Sequence, residues 1–98
     1  MLFIVRFVDK PECAEIRNEF LPAHINWLDE HHSVVRVAGS LRTEPNTTPV
    51  GAVWIVEAQN KVEIEALIRS DPFWIEGLRQ SYEVLYWSKA FQDRQVHV

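Results

Sequence analysis

The stretch Leu2-Phe3-Ile4-Val5-Arg6-Phe7-Val8 limits the fold more than any other. In an extended chain, successive side chains alternate between faces. Phe3, Val5 and Phe7 then line one face, and Leu2, Ile4, Arg6 and Val8 the other. A strand that is apolar on both sides must be covered on both sides. It therefore belongs in the middle of a sheet, with a partner strand on each flank. Arg6 is its one charge, and mid-strand it is expected to reach a cleft or an acidic partner.

The next segment reads as a helix. Asp9 is placed to cap it, with Pro11 near the first turn and Glu12 close behind. Cys13, Ile16 and Phe20 form the expected buried stripe; Glu15, Arg17, Asn18 and Glu19 form the wet face. An interior proline costs a helix about 3 kcal/mol. Pro22 is thus expected either to kink the segment or to start a second piece that runs to His32. Ser33 to Leu41 reads as a second strand, with Val35 and Val37 opposed to Val34, Arg36 and Ala38. Gly39 suggests a bulge or a close backbone approach there. Residues 42–49 are polar, hold two prolines and read as a hairpin loop. Val50 to Glu57 is a third strand, and Asn60 caps a helix through Arg69. Asp71 and Pro72 have the N-cap and first-turn chemistry of one more helical turn, which Gly77 ends. Tyr82 to Phe91 is the last strand, and residues 92–98 form a polar C-terminal tail. The order is strand, helix, strand, strand, helix, strand. That predicts an α+β, ferredoxin-like βαββαβ plan over residues 1–98 as one domain, with a four-stranded antiparallel sheet and both helices on one face.

The composition adds a partner. Hydrophobic residues make up 47% of the 98, with four Trp and five Phe, and so small a body buries only about 60–65% of its unfolded surface. The surplus predicts burial between subunits in a homodimer, two sheet faces meeting as a dimeric α+β barrel. A net charge of −4 excludes nucleic acid, which wants a basic face. No basic cluster suits a membrane surface, and the apolar start lacks a basic leader and is too short to span a bilayer. The expected location is the cytoplasm, where the lone Cys13 is an inert, buried thiol rather than half of a disulfide.

Chemistry gathers at His24. It shares the helical stripe of Trp27, Leu28 and His31, so it faces inward, either as a proton carrier or as a hydrogen-bonded core histidine. Asp71 is either a plain helix cap or also the carboxylate that orients the imidazole, since a carboxylate can accept more than one bond. With both helices on one face, the two side chains can meet. His24 and His31 are separated by roughly 10.5 Å of helix rise, which does not suit one metal ion. There is no cysteine pair and no glycine-rich phosphate loop, so no metal and no cofactor is expected. Trp27, Trp54, Phe73, Trp74 and Tyr86 serve either as core or as the walls of a pocket for a flat ring.

Arg17, Pro22-Ala23-His24, Leu28, Gly39, Gly51, Asp71-Pro72-Phe73 and Gly77 occur in the order seen in one family. On these anchors the chain resembles the YciI-like (YCII-related) proteins, small ferredoxin-like dimers. The resemblance implies a homodimeric, cofactor-free enzyme of lyase or isomerase type. In it, His24 is the general acid/base, Asp71 its orienting carboxylate, and Arg17 a recurring polar position. Arg6, Trp27, Trp54 and Phe73 join Arg17 as expected substrate-binding residues, the substrate being a small cyclic or aromatic metabolite. Two other classes compete: a non-catalytic metabolite-binding or regulatory module, and a cofactor-independent monooxygenase on the same fold.

Overall fold

A computed structural model describes all 98 residues, Met1–Val98. The elements are β1 (Leu2–Asp9), α1 (Ala14–Glu30), β2 (Val35–Leu41), β3 (Gly51–Glu57), α2 (Lys61–Ser70), α3 (Pro72–Ile75) and β4 (Arg79–Tyr86). The sheet is antiparallel in the order β2-β3-β1-β4. This is the ferredoxin-like arrangement, with β1 inside it as its two-sided apolar pattern requires. The helices cover one face. Phe3, Val5 and Phe7 of β1 and Trp54 and Val56 of β3 point into that side and pack with Ile64 and Ile68 of α2. No helix is long and apolar enough to cross a membrane.

Several local expectations are corrected. Asp9 does not cap α1. It is the last residue of β1, and α1 begins after Cys13, which makes no side-chain cap bond. The turn between them is set by Glu12, at φ 60°. Pro22 does not break α1, which runs through it. The proline is exposed, so its ring meets water, while Arg17, His24 and Trp27 anchor the helix on another side. That buried line also overturns the wet-face reading of Arg17, which is 9% exposed. The asparagine cap of α2 is as expected: Glu63 N donates to Asn60 Oδ1 at 3.0 Å.

Two strand irregularities redirect side chains. In β2, Val35 stands opposite Val56 and Val37 opposite Ile55, so Arg36 is an extra residue. Val35 is therefore buried under the helices, and Val37 turns to the open face. The bulge expected at Gly39 lies three residues earlier. Gly51 is the position of close approach: a Cβ there would lie 2.0 Å from the Phe7 carbonyl oxygen. In β1, the register against β4 shifts between Val8 and Asp9, placing Asp9 opposite Arg79. Strand β4 accordingly starts at Arg79 and ends at Tyr86, earlier at both ends than the apolar pattern suggests.

Candidate active site

Five polar or charged side chains are buried: Asp9, Arg17, His24, Asp71 and Arg79. All five lie in one cluster. Burying such groups is costly unless they find partners, and the partners here are one another.

His24 comes from the middle of α1 and Asp71 from the junction of α2 and α3. His24 Nδ1 lies 2.7 Å from Asp71 Oδ1. An ionised carboxylate only accepts, so Nδ1–H is the donor and the bond fixes the tautomer. Asp71 is held by its own role as cap of α3, where Phe73 N donates to the same Oδ1 at 3.1 Å. Capping and imidazole contact thus use one oxygen, while Oδ2 is buried without a partner. The Phe73 ring, delivered by the same turn, stacks on His24 with centroids 4.0 Å apart. The local sequence Asp71-Pro72-Phe73 therefore supplies the imidazole with both its acceptor and its platform.

The second half of the cluster is a shared ion pair. Arg17 Nη2 donates to Asp9 Oδ2, and Arg79 Nη1 donates to Asp9 Oδ1 at 2.7 Å. Both guanidinium carbons sit 5.2 Å from the Phe73 ring centroid, and that of Arg79 also lies 4.5 Å from the Phe7 centroid. Burial pushes the Arg79 guanidinium below its usual range, while the hydrogen bond and charge of Asp9, and the charge of Asp71, hold it up. An arginine in these conditions keeps its proton. Its Nε is buried and unpartnered.

A hollow of about 240 Å³ opens beside this cluster. His24, Arg17 and Arg79 form its polar wall; Leu21, Ile25, Leu28 and Trp54 make much of the rest. Larger hollows of about 430 and 450 Å³ lie elsewhere. The smaller one is the candidate site because it alone brings the imidazole and both buried arginines to one surface. His24 Nε2 makes no hydrogen bond within the protein. The arrangement is a tautomer-locked imidazole with its second nitrogen free, next to two cations and an apolar wall. It can take or give a proton.

The expected residues divide. His24, Asp71, Arg17, Trp54 and Phe73 are brought together. Trp27 packs behind the site, its ring 6.4 Å from His24 and 5.3 Å from Trp54, and its Nε1 donates to Ser70 Oγ at 3.1 Å. Arg6 is elsewhere. It pairs with Glu83 on the open face of the sheet, both side chains about half exposed. Trp74 packs edge-on against Tyr82, and Tyr86 lies on Phe3, outside the hollow. Sequence reading misses Asp9, which it takes for a cap, and Arg79, which it places before the last strand. The register shift that joins them leaves no mark in residue type.

Comparisons with known proteins agree with this architecture. A family model described as YCII-related domain matches residues 1–88. The 5-chloro-2-hydroxyhydroquinone dehydrochlorinase of Burkholderia phenoliruptrix AC1100, solved with 2,5-dihydroxybenzoquinone, is 26% identical. The match covers 90% of this chain and 94% of that one, at a TM-score of 0.81. A protein of Bacteroides thetaiotaomicron assigned to antibiotic biosynthesis monooxygenases is 15% identical, covering 99% and 95%, at 0.59, and speaks for the fold alone. No curated protein matches.

Proposed function

The chain belongs to the YCII-related domain family, and on that premise we propose that it is a homodimeric enzyme of lyase or isomerase type acting on a small cyclic or aromatic metabolite. His24 is its general acid/base and Asp71 the carboxylate that orients it. The observation that carries this reading is the 2.7 Å contact between His24 Nδ1 and a carboxylate that is itself pinned as a helix cap. It leaves Nε2 as the exchanging nitrogen, on a residue that lines a hollow shared with Arg17, Arg79 and several apolar side chains. Substrate loses a proton to Nε2, and Asp71 stabilises the imidazolium that forms. The dehydrochlorinase neighbour, 26% identical over most of both chains, supports a hydroxylated ring as the substrate class. Arg17 and Trp54 touch the substrate in this scheme; Phe73 and Trp27 keep the imidazole in place.

The test is a panel of hydroxylated and chlorinated single-ring compounds, 5-chloro-2-hydroxyhydroquinone included. Chloride release and solvent-deuterium incorporation are followed with wild type and His24→Ala. Turnover that disappears in a folded His24→Ala variant supports the scheme. Full turnover without the imidazole overturns it. A compound bound and returned unchanged marks a binding module instead, and oxygen uptake marks a monooxygenase.

A further inference from the structure

The charges in the cluster do not balance once a proton has moved. Asp9, Arg17 and Arg79 form a unit of two cations and one anion, with one net positive charge. While His24 is neutral, the buried charge of Asp71 offsets that excess. When Nε2 accepts a proton, the imidazolium satisfies Asp71, and the arginine unit is left without a counter-charge. In a buried setting such an excess is felt strongly. The anion produced in the same step is the group that can meet it.

The geometry agrees. Arg17 and Arg79 both line the same hollow as His24, and both guanidiniums lie against the ring on which His24 stacks. Each spends one nitrogen on Asp9, so each keeps further donors. The hollow, at about 240 Å³, falls below the roughly 300–1,000 Å³ of pockets for drug-sized ligands. It suits a single ring.

We propose that Arg17 and Arg79 hold the oxygen on which negative charge collects when His24 removes a proton, and that the substrate is a single planar ring whose acidic O–H or C–H is conjugated to that oxygen. This deepens the acid/base reading above and rests on it. In the step, the O–H or C–H bond breaks, the proton goes to His24 Nε2, and the electron pair ends on the ring oxygen. Asp9 is a positioning residue: it holds the two guanidiniums side by side and leaves their remaining N–H groups for substrate. Preorganised donors of this kind act where charge develops.

Two ligands built on one ring test the assignment: 2,5-dihydroxybenzoquinone, anionic at neutral pH, and its uncharged, slightly larger 2,5-dimethoxy analogue. Each is titrated calorimetrically into wild-type protein. The anion is expected to bind at least about tenfold more tightly, as charged hydrogen bonds imply. Arg17→Gln, checked for native circular dichroism, is expected to erase most of that ratio by weakening the anion's binding more than the neutral ring's. Because an Arg79 variant risks unfolding, the ligand pair on wild type is the primary test and needs no substitution. Equal affinities overturn the arginine assignment and leave the ring-binding reading standing. Binding of neither ring overturns both.

Discussion

Strands β1 and β4 are tied by an ion pair on each face of the sheet: Arg6 with Glu83 on the open face, Asp9 with Arg79 beneath the helices. The residue types are nearly the same, and the strands are the same. Exposure separates them. The Arg6 and Glu83 side chains are 57% and 44% exposed, those of Arg79 and Asp9 1% and 4%. An exposed pair is screened by water and typically worth about 0–1 kcal/mol. Breaking a buried one costs about 3–5 kcal/mol, because a charge is left without a partner in a poor solvent. A protein retains the second kind at a cost in desolvation, and here that cost is concentrated beside the one imidazole locked by a carboxylate. On the proposed reading, the buried charges beneath the helices are the ones that serve the chemistry.

Four substitutions press on this contrast. The largest effect is expected at His24, where His24→Ala should lower turnover of a responsive substrate by about 10²- to 10⁴-fold, read by steady-state kinetics. Its circular dichroism should stay native. Arg79→Met should cost about 3–5 kcal/mol in denaturant unfolding, since Asp9 then keeps only Arg17. A loss under about 1 kcal/mol, the ceiling for exposed pairs, would make the two faces equivalent and dissolve the contrast. Pro22→Ala concerns the helix that carries both Arg17 and His24. Restoring the missing donor at this exposed position should raise stability by up to about 3 kcal/mol, seen as a higher thermal midpoint. A fall would mean that Pro22 sets the angle between the turns bearing those two residues. Arg6→Met is the control and should shift stability by less than about 1 kcal/mol, with turnover unchanged.

Much of the fold is legible in the sequence because it rests on simple periodicities. The central place of β1 comes from its two apolar faces, and α3 from the Asp71-Pro72 pair that opens it. His24 is legible as an inward-facing residue because its helical stripe contains Trp27. What escapes lies where period-2 alternation fails. Counting back from Tyr82 and Val84 puts Arg79 on the open face with Ser81 and Glu83. The register shift opposite Val8 and Asp9 turns it under the helices instead. The extra residue Arg36 likewise separates Val35 from Val37, which alternation places together. Arg17 is misread for a related reason. A charged side chain in a helix pattern reads as solvent-facing, and its buried partner Asp9 is set by a strand end that pattern alone does not find. The last strand reads too long because Trp87 and Phe91 continue its apolar character. Trp87 N still donates to the Leu2 carbonyl at 3.0 Å, but the strand ends at Tyr86, and both side chains lie beside Val37 and Ile55 on the open face.

In the proposed mechanism, Asp71 holds the His24 imidazole by Nδ1 and leaves Nε2 to the hollow. Long-range ¹H–¹⁵N correlation of the His24 ring in its neutral form tests it directly, with and without 2,5-dihydroxybenzoquinone. That mechanism places the proton on Nδ1, leaves Nε2 bare, and gives an Nε2 resonance that moves when the ring compound binds. A proton resident on Nε2, or an Nε2 signal indifferent to a ligand shown to bind, would contradict it.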